Sequence, residues 1–203
     1  MTHPALPDVD AVKHHADIDD DRSNIALEHA LGSAIGELRR HTGRTWEIST
    51  GTPTARVFTA KHPMYCDVDD FTSADLSDVV IKTRDTRESS WVTWTAAQWD
   101  IEPANGIWNG EPGWPYFEVL SSGRTRLFPT GRQLVQVTAD WGWSTIPDPV
   151  FTGVILQTIH LWKREDSPDG TRGWDGLGAV IRVSPRIDPD AERLWSSYRR
   201  LEV

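Results

Sequence analysis

Cysteine is nearly missing from this chain: Cys66 stands alone in 203 residues. One thiol excludes an internal disulfide and a CxxC-type metal site, and it suits a reducing cytosol. Positive charge is short too, with 21 Lys and Arg against 30 Asp and Glu and a net charge of −9. Phosphate affinity comes from clustered Lys and Arg, so the balance argues against a general nucleic-acid binder. It still allows a protein that DNA must pass without sticking. No apolar run approaches the ~18 residues that would cross a bilayer. The segment MTHPALPDVDAV has no basic-then-apolar pattern, so no signal peptide is expected. Internal repeats and low-complexity tails are absent. So are Gly-x-Ser-x-Gly, HExxH and a Cys–His nucleophile pattern, and no catalytic site is expected.

Charged residues at 25% and apolar residues at 38% fit one folded domain with a real core, with room for an embellishment. The 11 tryptophans are unusual and lie mainly between Trp91 and Trp143. Large rings can fill the core of a thin domain and anchor subunit contacts. A sugar-stacking platform is the alternative.

The most informative stretch runs from Leu134 to Pro168. Leu134, Val135, Val137 and Thr138 around Gln136 favour a strand, and Trp141-Gly142-Trp143 closes it. Asp148-Pro149 reads as a helix start, with a capping carboxylate and a proline harmless at the first position. Val150, Val154, Ile155, Ile159, Leu161 and Trp162 recur at helical spacing. Lys163 and Arg164 suit the negative end of the helix dipole, and Pro168 stops continuation.

Elsewhere, Pro7 to Ala16 predicts a short helix with Asp8 or Asp10 near its start. Leu27, Leu31, Ala34, Ile35 and Leu38 predict a long helix from about Ser23 to His41, ended by Gly43. Gly32 and Gly36, with Ala34, leave a smooth face for another helix. Short strands are expected at Arg56–Thr59, Val79–Lys82, Trp91–Trp94, Phe117–Leu120 and Leu134–Val137. Arg84 to Ser90 reads as a hairpin tip, and Asn105 to Gly113 as a long exposed loop. Ser167 to Gly178 reads as a mobile glycine-rich tether, Ala179 to Val183 as a short strand or arm, and Asp188-Pro189 as the start of a final helix to about Arg200.

Several residues invite chemistry. Asp17, Asp19, Asp21, Ser23, Ile25 and Glu28 fall at the ligand positions of a calcium loop. Arg22 occupies the place of its turn glycine, and carboxylates near a helix start are favoured by the dipole anyway. His14 and His15 point to different sides of a helix and have no third ligand at helical spacing. His160, on an apolar helix, reads as packed rather than catalytic. Glycines 170, 173, 176 and 178 lack the Gly-Lys-Ser/Thr of a phosphate loop. Asp100, Glu102 and Glu118 lie in the aromatic region, where a glycosidase would place paired carboxylates. Neither a metal nor a cofactor is expected.

The order of parts resembles the head-to-tail connector (adaptor) proteins of long-tailed double-stranded DNA phages. The likeness runs over about residues 8 to 201. It is carried by His41-Thr42-Gly43-Arg44-Thr45-Trp46, by Gly113-Trp114-Pro115-Tyr116, by the Trp-Gly-Trp turn, by Ile146-Pro147 and by the basic helix end before Asp166-Ser167-Pro168. An α+β fold follows: helices from both chain ends packed together, with a Trp-rich antiparallel β region inserted. The boundaries are 1–45 for N-terminal helices, 46–145 for the β region, 146–166 for a core helix, and 167–203 for a C-terminal arm and helix, within one connector domain. The resemblance implies a structural protein of the virion neck, assembled in the host cytoplasm. It would form a homo-oligomeric, twelve-fold ring under the portal protein, extend the DNA channel, and dock a stopper or tail-completion protein. Duplex DNA would pass without specific binding, against a neutral or acidic lining, and no membrane is involved. A tail-completion or stopper role, a carbohydrate-binding module with exposed Trp, and a small hydrolase are the rivals. In the last helix Ala191, Leu194, Trp195 and Tyr198 form one stripe flanked by Arg193, Arg199 and Arg200. The stripe either packs on its own domain or reaches outward. The resemblance implies outward portal contacts through Leu194, Trp195, Tyr198, Arg199 and Arg200.

Overall fold

The computed structural model describes residues 2–72, 76–108, 110–123, 126–165, 171–173, 180–182 and 187–200. Two compact units divide the chain: Met1–Arg44 with Thr145–Val203, and Thr45–Ser144. The first unit holds β1 (Thr2–His3), α1 (Val9–Ala16) and α2 (Asn24–Thr42). The second holds β2 (Thr54–Phe58), β3 (Tyr65–Thr72), β4 (Val80–Thr83), β5 (Val92–Thr93), β6 (Trp99–Glu102), β7 (Ile107–Trp108), β8 (Glu111–Pro112), β9 (Tyr116–Ser121) and β10 (Val135–Trp141). The chain then returns to the first unit with β11 (Ile146–Pro147), α3 (Asp148–Glu165), β12 (Thr171–Gly173), β13 (Val180–Arg182) and α4 (Pro189–Ser196). The fold is α+β, as expected, with helices from both ends of the chain and an antiparallel β region inserted between them in sequence.

In the helical unit each helix end is set by its sequence. Asp8 accepts the Ala11 N–H at 2.8 Å and starts α1, and Asp17 ends it in the left-handed conformation. Gly43, at φ +68°, stops α2, which buries Leu27, Ala30, Leu31, Ala34 and Leu38. The smooth face at Gly32 and Gly36 receives no helix among the described residues: a Cβ at Gly32 would meet nothing, and one at Gly36 would meet only Arg40. α3 begins at Asp148, whose carboxylate lies 2.9 Å from His3 Nε2, and β1 pairs antiparallel with β11 just before it. α4 starts as expected at Pro189 under the Asp188 carboxylate, which accepts from Asp190 and Ala191 N–H. It closes at Ser196 rather than near Arg200, because tight bonds from Tyr198 N–H to Trp195 O and from Arg199 N–H to Ser196 O take over. The expected tether at 167–178 falls largely outside the described residues. Within it, β12 pairs with β13 as a small antiparallel ladder, so the short strand near Ala179 to Val183 is present.

In the β unit, β10 is the central strand. It alternates Val135, Val137, Ala139 and Trp141 inward with partly exposed residues between, the period-two pattern of a strand with one buried face. β2 runs antiparallel along it, and β4 pairs with the same residues. Past Thr138↔Val80 the ladder continues as Asp140↔Thr72 and Trp141↔Phe71 on β3. β3 also pairs with β9, with a register shift between Asp67 and Phe71, and β9 pairs with β6. Such irregularities increase twist and here curl the sheet around Cys66, Val68, Phe71, Ile81, Val119 and Trp141. β4 and β5 form the expected hairpin across residues 84–91. The loop from Asn105 to Gly113 contains its own short hairpin, β7 with β8. β3 and β6 are not expected from the sequence: their acids mask the strand pattern.

Candidate functional site

The acidic stretch at the start of α2 serves local structure. Asp17 is a helix cap, and Asp21 takes a 2.7 Å bond from Lys13 Nζ, which also reaches Asn24 at 3.1 Å. The Lys13 bond, with help from Asn24, holds the Asp21 carboxyl below its ordinary range. Among the described residues no group of three or more His, Cys, Asp or Glu is arranged to hold a metal ion. His14 and His15 are exposed on α1, and His160 Nδ1 lies 3.8 Å from Asp188 on the helical unit. Asp100, Glu102 and Glu118 do share one face, because Glu102 on β6 sits directly opposite Glu118 on β9, which in turn opposes Asp67 on β3. Only Asp100 of the three lines the neighbouring cleft of about 490 Å³, beside Trp99, Ile101 and Tyr116. Glu102 accepts the Ala104 N–H at 2.6 Å, a turn-closing bond. The acids form a row across strands, not a pair facing each other over a bond.

Most of the described tryptophans face inward. Trp46, Trp94, Trp99, Trp114, Trp141 and Trp143 are buried, and Trp91, Trp108 and Trp162 are half-buried. Trp46 stacks on Trp143 with centroids 4.6 Å apart, and Trp114 lies 5.5 Å from the same ring. The indole N–H groups are used as well: Trp141 donates to Thr54 O at 2.7 Å, Trp143 to Asp70 at 3.1 Å and Trp94 to Thr83 at 2.8 Å. No described tryptophan is among the exposed residues.

The stripe on α4 also points inward. Trp195 is fully buried and Tyr198 nearly so, whereas Leu194 and Arg200 are half-buried and Arg199 is exposed. Trp195 lies on Gly153 of α3 so closely that a Cβ there would come within 2.3 Å of the indole nitrogen. The Arg44 Nε–H donates to Tyr198 O at 2.8 Å and the Arg200 N–H to Thr42 O at 2.7 Å, fastening the end of α4 to the end of α2. Trp195 and Tyr198 therefore act inside the helical unit, and of the five expected contact residues Leu194, Arg199 and Arg200 keep surface. The apolar spacing is the same whether a stripe meets a partner or its own core, so the sequence gives no sign of which way it turns. Gly153 was the available clue: a glycine in mid-helix signals something large lying over it.

Gln157, which the motif reading missed, and Arg44, already part of the His41 to Trp46 motif, organise this unit. Gln157, fully buried on α3, donates to Glu37 on α2 at 2.5 Å and accepts the Asp188 N–H at 2.8 Å. Arg44, nearly buried, carries the bond to Tyr198. No helix among the described residues is long and apolar enough to cross a membrane.

No family model matches the sequence, and no curated protein matches it either. Solved structures do. A chain in the neck of an empty GTA particle, computed with C6 symmetry, is 18% identical with a TM-score of 0.54, covering 98% of this chain and 91% of that one. A chain in the neck of a native GTA particle, computed with C12 symmetry, is 18% identical with a TM-score of 0.49 over 100% and 97%. One from the virion of a native gene transfer agent is 19% identical with a TM-score of 0.49 over 98% and 91%. At 18% identity the first likeness is one of fold, and the other two lie too low to add to it.

Proposed function

We propose that this chain is a structural protein of a phage-like virion neck, a head-to-tail adaptor that forms a ring below the portal. The observation that carries this is the fold shared along nearly the whole chain with a protein of a particle neck. The sequence motifs of the connector family, read independently of that fold, support the same role. On this proposal the activity is geometric. Copies close into a ring, probed first for twelve-fold symmetry, extend the DNA channel and offer a surface to a stopper or tail-completion protein. The channel lining is neutral or acidic, in keeping with a net charge of −9, so that duplex DNA slides past.

Portal docking is assigned to the outward part of α4, through Leu194, Arg199 and Arg200, with Trp195 and Tyr198 holding the helix in place from inside. Electron microscopy of the purified protein mixed with portal tests the role. A ring on the portal is expected; a ring only on tail ends instead gives the tail-completion role. Arg199→Glu should abolish portal binding with circular dichroism unchanged. A variant that still binds as wild type removes α4 from the docking surface. Tight, salt-sensitive binding to duplex DNA would overturn the sliding-channel reading.

A further inference from the structure

The charges of the β unit are sorted by position. One end of the curled sheet gathers the loops 59–64, 84–91 and 122–134, and the described parts of these loops are tied to one another. Gln133 N–H donates to Thr59 Oγ1 at 3.0 Å, Arg84 donates to Gln133 O at 3.1 Å, and Phe128 N–H donates to Pro63 O at 2.8 Å. This end carries Lys61, Lys82, Arg84, Arg87, Arg126 and Arg132 against Asp85 and Glu88. Among the described residues of the unit, Arg56 is the only other Lys or Arg, and it is paired with Asp69 at 2.8 Å and Glu47 at 2.9 Å. Two of the cations are braced on rings, Arg84 over Trp91 at 4.3 Å and Arg126 over Trp94 at 5.6 Å. Arg87, Arg132 and Lys61 stand exposed. The chain enters and leaves the unit at Thr45 and Ser144, beyond the opposite ends of β2 and β10, so covalent connections do not crowd the basic tip.

The outer face of β3, β9 and β6 is the reverse. Asp67, Glu118 and Glu102 stand side by side across three neighbouring strands, and Asp100 lies two residues along β6 on the same face. Asp67 and Asp100 are exposed. End and face belong to one rigid sheet, and the tip of a copy cannot fold onto its own face.

We propose that the basic tip of one copy docks on the acidic β3–β9–β6 face of a second copy. The occupant is fixed by charge complementarity: a basic patch and its acidic counterpart occur on the same chain, in different places. Such a contact is heterologous, since a copy that uses its tip still offers its face, and repetition gives a closed ring or an open filament. Exposed cations steer approach, and the small energy of each pair is multiplied around a closed ring. The inference deepens the ring reading above and rests on it.

Charge exchange tests the surface. The double variant Arg87→Glu/Arg132→Glu removes the net positive charge of the tip and keeps the acidic face, and Asp67→Lys/Asp100→Lys removes the net negative charge of the face and keeps the basic tip. Each alone should associate at least about tenfold more weakly than wild type in sedimentation velocity at low salt. Mixed in equal amounts they should associate more strongly than either alone, because the unchanged tip of one then meets the unchanged face of the other. The proposal is overturned by a wild type that stays monomeric at low salt and high concentration, by either variant associating normally, or by a mixture that associates no more strongly than either variant alone. Loss of duplex DNA retention by the Arg87→Glu/Arg132→Glu variant, with self-association intact, would make the tip a phosphate-binding surface instead. Rings formed on portal by each variant alone would keep the neck reading and remove this contact. Open filaments from the wild type would keep the contact and remove the ring.

Discussion

At the scale of single residues, the tightest constraint is the seat of Trp195 on Gly153. Alanine is the better helix former by about 1 kcal/mol, yet a methyl group at 153 would reach to 2.3 Å from the indole. Gly153→Ala should therefore destabilise the protein by about 1–3 kcal/mol, the usual cost of overfilling a packed site. Trp195→Ala should cost about 3–5 kcal/mol. In the doubly substituted chain the added methyl no longer meets a ring, so the two effects should fall well short of adding, which urea titration of the four chains measures. Gln157→Ala leaves Glu37 and the Asp188 N–H without the bonds they have now. Each orphaned group costs about 1–3 kcal/mol, and α4 should lose hydrogen-exchange protection before α2 does. Gly142 was readable as a turn residue but not for its second reason. At φ +114° it also lets the Glu47 backbone approach so closely that a Cβ would lie 2.6 Å from the Glu47 carbonyl oxygen.

Among the elements, helices were more legible than strands. α1 and α2 have caps and apolar spacing that act locally, and the structure keeps both within a residue or two. β10 was plain for the same reason, as its inward residues are mostly β-branched or aromatic. β3 was not, since Asp67, Asp69 and Asp70 interrupt any apolar alternation. Its inward acid, Asp70, is 3% exposed and takes the Trp143 indole N–H from a residue far along the chain, and no local pattern announces such a partner. The join between α1 and α2 depends on pH in a direction that can be worked out. Asp21 has a folded pKa below its ordinary value of 3.8, so its contribution is complete above that value and disappears as pH falls through the lower folded one. As pH falls below 3.8 the amide protection of α1 should fall in the wild type. In Asp21→Asn that component of the change should be absent, and an identical acid profile in both chains would show that Lys13–Asp21 does not hold the helices together.

For the molecule as a whole, the α+β plan and the inserted β region were legible because elements of different period alternate along the chain. The orientation of the α4 stripe was not, because an amphipathic helix looks the same whichever body covers its apolar side. The candidate surfaces followed the same division. The carboxylates were visible as residues, but their alignment across β3, β9 and β6 depends on register, which arises only when strands far apart in sequence are paired. The basic loops likewise become one tip only when three separate turns meet at one end of a sheet.

The insertion also sets a timetable. α2 leaves the ribosome early, while α3 and α4, which cover its apolar face, lie beyond the entire β unit, Thr45–Ser144. At about 5–20 residues per second, Leu27, Leu31 and Leu38 wait many seconds for their cover, while residues 45–144 already have every strand of their own sheet. The β unit should therefore be the first part to resist protease on stalled nascent chains, with the N-terminal helices still cut. Early protection of α2 in chains that end before α3 would show that the helices do not wait. During that interval the uncovered leucines are the chain's point of exposure to chaperones and to other nascent copies.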